Sequence, residues 1–291
     1  MMRLSKYDLI SPSAYLMDGV GHINAVQLKD IDALPYKLDT YRWYLAALMF
    51  SINDYIEQLG VEQETIDSAK EAYEASGLEF TVFDLHLVHT GMIGTLLLAL
   101  DFFISEDVSW DSKISAFVVH NGTSINENGE EVADDIVGHI TRDNYQDVVD
   151  VILQRCAVKT ADDIEEEHPR FKNEKARKMW ERHQAFVKKQ KEAETQKNSE
   201  FFELGNIISA LAHKQPSLNM LNIWDMTIYN VYDQFDFERD GVGYDISALN
   251  YSVWGADEKH HFDIDAWFKR KSPVTGSSDD LFSMAQNAKN N

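Results

Sequence analysis

The residues FTVFDLHLVHTGMIGTLLLALDFFI, 80 to 104, form the most apolar stretch of the chain. Any fold of this chain must take them out of water. A membrane span is the first option to weigh. Asp84, His86, His89 and Asp101 interrupt the run, and only about ten consecutive residues are free of charged or histidine side chains, half of what a bilayer requires. The stretch is therefore expected to be a buried helix in a globular core. With 291 residues there is room for one large domain or two modest ones. A hydrophobic content of 44%, aromatics at 11% and a mean hydropathy of -0.37 suit a soluble globular protein. The opening MMRLSKYDLI has no apolar run long enough for a signal peptide. Cys156 is the single cysteine, so no internal disulfide can form and a reducing cytoplasm is the expected compartment.

Periodicity organises the rest. ISPSAYLMDGVGHINAVQLKDIDAL is punctuated by Pro12, Gly19 and Gly21 and reads as loops with a β-hairpin. Tyr41, Leu45, Leu48, Ile52, Tyr55 and Leu59 recur at spacings of three and four, predicting one long helix stopped by Gly60. A more polar helix is expected over 62–76, ended by Gly77, ahead of the buried helix. KISAFVVHNG and EEVADDIVGHI alternate like short strands, separated by the turn-rich NGTSINENG. In TRDNYQDVVDVILQRC, Tyr145, Val149, Ile152 and Cys156 share one helix face, and Asp143 with Gln146 forms a candidate capping pair. Cys156 is thereby expected as a core thiol. Further on, FFELGNIISALAH (Phe201, Leu204, Ile208, Leu211) predicts a helix broken by QPS, and NIWDMTIYNVYDQF predicts another. Asp245 is placed to cap a short helix through Trp254, ended by Gly255, and Asp263 to cap a last one over IDAWFKR. The final twenty residues read as a tail.

Three constellations are candidates for chemistry. In DQFDFERDG, the residues Asp236, Glu238, Asp240 and Gly241 imitate the first half of a calcium loop. The twelfth position, where such a loop needs a bidentate carboxylate, is Ser247, and Gly243 replaces the usual apolar residue at the eighth. A solvated acidic turn between two helices is the preferred reading. His86 and His89 share a helix face and could hold one metal, but no third or fourth ligand stands at a diagnostic spacing. KHHFDID offers His260, His261, Asp263 and Asp265, of which Asp263 is already placed as a cap. Hydrogen-bonded structural histidines are the default, so no metal, cofactor or catalytic residue is expected. No phosphate-cradling loop, nucleophile elbow or CxxC occurs.

The chain carries a formal charge of -22 and a pI near 4.7, yet nine of its 27 Lys and Arg lie in PRFKNEKARKMWERHQAFVKKQK, residues 169 to 191, beside only Glu174 and Glu181. As a helix this segment aligns Ala176, Met179, His183 and Phe186, flanked by Trp180 and Val187, with the cations spread over the remaining circumference. A nucleic-acid arm would gather its cations on one surface and keep its aromatics for stacking. Outside the segment 47 acids face 18 Lys and Arg, so this helix is attracted first to its own protein or to an identical neighbour. A bridging helix docked along its seam is favoured over a protein-partner site, and both over nucleic acid.

The order of elements resembles phage-encoded proteins of the tail-morphogenesis gene cluster, of the tail assembly chaperone type. AYLMDGVGHINAVQLKDI resembles their extended opening, ITRDNYQDVVDVILQRC their strand-then-helix element, and LNIWDMTIYNVYDQF with YDISALNYSVWGAD their C-terminal helical module. The likeness spans residues 13 to 270, through packing patterns and not catalytic motifs. This chain is longer than such chaperones, and HHFDID has no counterpart among them, which leaves a permanent tail or baseplate component as the alternative. A metal-dependent enzyme built on the histidine clusters is the third. The resemblance implies reversible, non-enzymatic binding of tape-measure or other tail proteins in the host cytoplasm. Trp224, Ile228, Tyr232 and Phe235 are candidate partner anchors, set against a second core as the plainer account, and Met179, Trp180 and Phe186 offer a further seam. The expected architecture is mostly α with a small β-hairpin element (α+β), in two packed helical lobes joined by a basic helix. Its parts are an N-terminal lobe over 1–160, a charged bridging helix over 161–199, a C-terminal helical module over 200–271 and a flexible tail over 272–291.

Overall fold

The computed structural model describes residues 2–51, 54, 56, 60–77, 80–88, 90–125, 131–158 and 203–254. The described residues fall into two compact units, one built on Met1–Val158 and the other within Lys159–Val274. The fold is mostly helical with small antiparallel sheets, as the sequence predicts. The expected bridging helix over 161–199, the helix after Asp263 and the tail over 272–291 lie outside the described residues.

In the first unit a short helix α1 (Lys6–Ile10), capped by Ser5 and Asp8, leads into the hairpin β1 (Tyr15–Met17) and β2 (Gly21–Ile23). Gly19 and Gly21, at φ +74° and +135°, supply its turn. Helices α2 (Leu28–Ala33) and α3 (Leu38–Leu48) follow. The predicted long helix to residue 59 ends instead at Leu48. Phe50 is fully buried just beyond it, and Ser51 and Asp54 exchange side-chain and backbone hydrogen bonds of a capping pair that opens a new start. Helix α4 (Gln63–Ala75) closes with Gly77 at φ +73°, as expected.

The apolar stretch resolves into α5 (Val82–Val88) and α6 (Thr90–Phe103), either side of the undescribed His89. Leu85, Leu96, Ala99 and Leu100 are completely buried, so the core-helix expectation holds. Its charges are managed locally. Asp84 caps α5, accepting from the Thr81 N–H at 2.7 Å, and Asp101 accepts from the Val108 N–H at 3.2 Å.

The two predicted strands are β4 (Ala116–Ile125) and β5 (Glu131–Ile140), but they belong to a three-stranded sheet whose other edge, β3 (Asp107–Asp111), escaped the periodicity search. Four of five β3 residues are polar or aromatic-amphipathic, so no clean alternation announces the strand. Asn121 to Ile125, expected as turn, continues β4. Helix α7 (Tyr145–Arg155) packs Val148, Val149, Ile152 and Leu153 inward. Its entry is not the Asp143–Gln146 pair. The Asn144 side chain accepts from the Thr141 N–H at 2.7 Å and donates to the His139 carbonyl at 2.9 Å, while Gln146 donates to Asp150.

The turn of the N-terminal hairpin meets this sheet in a tight contact. The Gly19 carbonyl accepts from the His139 N–H at 2.9 Å and lies so close to Gly138 that a Cβ there would stand 2.3 Å from it. Only glycine fits. Gly138→Ala is expected to cost on the order of 2 kcal/mol by forcing the hairpin off β5, whereas Gly122→Ala, whose Cβ would meet nothing, should stay within about 0.5 kcal/mol of wild type. Urea unfolding of the two variants compares them directly.

Candidate interaction surface

The chemically suggestive groups of the first unit are held by packing. Burial depresses the His86 imidazole to about 4, and its Nε2 lies 3.0 Å from the Tyr145 hydroxyl, with the two rings edge-on at 5.3 Å. Asp84, 1% exposed, receives the Arg142 Nε–H on both oxygens at 3.0 and 2.9 Å, and the guanidinium also sits over the Tyr73 ring at 5.8 Å. Burial pushes the Cys156 thiol up to about 12, far from a thiolate nucleophile. An open groove of about 600 Å³ runs past Asn24, Gln27, Asp30, Tyr44, Leu98 and Asp101. Both of its carboxylates are spent on backbone N–H groups, Asp30 on Gln27 at 2.8 Å and Asp101 on Val108. Among the described residues no group of three or more His, Cys, Asp or Glu is placed to hold a metal ion, and no helix is long and apolar enough to cross a membrane. His89, His260, His261, Asp263 and Asp265 lie outside the described residues.

The second unit is two helices and the loop between them. Helix α8 (Leu204–Lys214) buries Leu204, Ile207, Ile208 and Leu211 at spacings of three, one and three, and ends at Gln215 before Pro216. Asn219 and Asn222 then cap each other's backbone N–H groups, and a 3-10 turn (Ile223–Asp225) follows. Thr227, itself buried, accepts from the Asn230 N–H at 3.2 Å and starts α9 (Ile228–Trp254). At 27 residues α9 is far longer than the two short helices expected here. It runs through Gly241 and Gly243 without interruption. Each glycine costs about 1 kcal/mol in a helix interior, less than the orphaned backbone groups of two new helix ends.

That continuity turns the supposed acidic turn into a helix surface, which cannot wrap a calcium ion. Glu238 accepts from Gln215 and pairs with Lys214 Nζ at 2.8 Å, tying the end of α8 to the third turn of α9. Asp236 pairs with Arg239 at 3.0 Å. Ile228 and Val231 are 0% exposed, so Ile228, expected as a partner anchor, is core. Trp224 sits in the 3-10 turn, half-buried, with its Nε1–H donated to the Met220 carbonyl at 3.0 Å, and Tyr232 and Phe235 are half-buried. At 100° per residue, Ile228, Val231 and Phe235 continue into Val242, Ile246 and Leu249 along one helix face. The last three are 45%, 54% and 65% exposed. This part of the apolar stripe escaped the sequence reading, because DQFDFERDG was taken as a solvated acidic turn between two helices. Met179, Trp180 and Phe186 lie outside the described residues.

The neutral, buried His86 makes stability depend on pH. Below about pH 6.5 the unfolded chain takes up a proton that the folded chain refuses until about pH 4, so stability is whole above this window and falls as pH drops through it. Between pH 7 and pH 5 the wild type should lose about 2 kcal/mol more than His86→Gln, a difference read by urea unfolding at both values.

Residues 189–271, which contain α8 and α9, match the model of the YomV second domain, a phage-type domain. No curated protein and no solved structure matches the chain.

Proposed function

We propose that the chain is a non-enzymatic phage assembly protein of the tail assembly chaperone type. It binds apolar helical faces of tail proteins, tape-measure or tube and baseplate subunits among them, and lets them go without bond chemistry. The observation that carries this reading is the exposed stripe Val242, Ile246 and Leu249 on α9, inside the region that matches a phage-type domain. Long helical polypeptides with apolar seams aggregate unless those seams are covered. A helix presenting anchors at i, i+4 and i+7 fits such a seam side by side. The formal charge of -22 keeps the binder dissolved and keeps its copies apart.

Two measurements test the proposal. The purified chain should hold a coiled-coil tail polypeptide in solution, and Val242→Asp with Leu249→Asp should bind it about tenfold more weakly or worse, with the fold intact. Mass spectrometry of purified particles should then find the protein missing; stoichiometric copies there would make it a virion component. Equal binding by wild type and variant, or stoichiometric metal on elemental analysis, would overturn the proposal.

A further inference from the structure

We infer that the partner of α9 is a cationic amphipathic helix of another polypeptide, its aliphatic seam on Val242, Ile246 and Leu249 and a flanking Lys or Arg on Asp245. The inference rests on the reading of α9 as a binding face and names the chemistry of what binds there. Down α9 the stripe passes from complete burial at Ile228 and Val231 to 45%, 54% and 65% exposure at Val242, Ile246 and Leu249. An aliphatic row facing water calls for a cover. From Val242 to Leu249 is seven residues, about 10 Å, so two turns of a partner helix span it.

Charge selects the partner. Within α9 the acids Asp233, Asp236, Glu238, Asp240 and Asp245 stand against Arg239, 1 − 5, a net of −4. Three of them are answered inside the unit. Glu238 pairs with Lys214 at 2.8 Å, and Arg239 is shared by Asp236 at 3.0 Å and Asp240 at 3.9 Å. Asp245 is exposed and has neither a hydrogen bond nor an ion pair among the described residues. It follows Val242 by three positions and precedes Leu249 by four, so it borders both anchors along one margin of the stripe. No other charged residue lies between 241 and 254. The surface is an aliphatic row with one open negative charge, and its complement is an apolar seam edged by a cation.

The same pattern disfavours the other occupants. A second α9 would bring an identical open carboxylate beside identical anchors and set −4 against −4. Nucleic-acid phosphates and anionic lipid headgroups meet the same repulsion, on top of the formal −22 of the whole chain. A neutral amphipathic helix would cover the aliphatic row but leave Asp245 partly desolvated without a counter-charge, which costs affinity. A cationic helix meets both requirements.

The test titrates the full-length purified chain, by fluorescence anisotropy, with synthetic helical peptides that share one leucine seam and differ only in its flanks: lysine, glutamine or glutamate. At about 0.1 M salt the lysine peptide should bind roughly fivefold more tightly than the glutamine peptide, and the glutamate peptide more weakly than both. Asp245→Lys, at an exposed helix position, should erase the lysine advantage and leave the glutamine peptide's affinity and the helical circular dichroism unchanged. Raising salt to about 0.5 M should erase it in wild type. Equal binding of the lysine and glutamine peptides, both lost in Val242→Asp with Leu249→Asp, would overturn this inference alone and leave the apolar binding face standing. A lysine advantage that survives Asp245→Lys would put the cation elsewhere on the acidic surface and defeat the inference as well. Failure of all three peptides to bind would overturn the binding face itself, and the inference with it.

Discussion

A single buried guanidinium organises the first unit. Arg155, 3% exposed at the end of α7, donates Nη1–H to the Asp8 carbonyl at 2.9 Å, Nη2–H to those of Ser11 and Ser13 at 3.2 and 2.6 Å, and Nε–H to that of Asn24 at 3.3 Å. The last turn of α1 and the irregular stretches before β1 and after β2 leave carbonyls that need partners from elsewhere. The fixed fork of arginine supplies several at once, where lysine offers one point charge. Burial lowers the Arg155 pKa, the direction expected of a cation withdrawn from water. What holds it charged is the converging carbonyl dipoles. Around this clamp the hairpin makes its other attachments: Ile23 bridges Ile104, the Ser105 N–H reaches the His22 carbonyl, and Glu106 accepts the His22 N–H at 3.0 Å.

Burial on this scale explains why the suggestive side chains of the first unit carry no visible chemistry. His86 is neutral beside Tyr145, and burial holds the Cys156 thiol protonated, its pKa pushed up to about 12. Asp84 serves a helix cap and an ion pair at once. Asp84, His86 and Arg155 are each held by a neighbour from another element, and a group held that firmly is a poor proton shuttle or ligand. The surface of α9 is the opposite case: apolar side chains face water while the charges around them pair with one another.

Elements that bury one helical face were legible, because burial writes a period of three and four into the sequence. Residues 63–75, 145–155 and 204–214 follow that rule, and the core histidine was read correctly from its apolar neighbours. The strand Asp107–Asp111 and the helices at 6–10 and 28–33 were hidden. They are short and held by tertiary contacts that no local window contains. The Ser51–Asp54 pair was legible in principle as a capping box, but the apolar repeat ran through it and prevailed. At the candidate surface the difference is one of shift. Of the residues singled out at 224 to 235, Ile228 lies in the second unit's own core and Trp224, Tyr232 and Phe235 are half-buried, and the exposed aliphatic residues of the same face begin two turns later. The acidic run DQFDFERDG was taken as a turn between two helices, but two glycines at about 1 kcal/mol each do not stop a helix whose first turns are held by packing.

The exposed stripe and the acidity of the chain constrain each other. Three aliphatic side chains half to two-thirds exposed would favour pairing between copies, yet each copy brings the same five acids of α9 to the encounter. Repulsion of that kind acts over about 8 Å at physiological salt, far enough to guard a stripe one helix wide. Charge of this sign disfavours acidic surfaces and identical faces and favours cationic ones. Selectivity of this kind comes from what the surface repels as much as from what it buries.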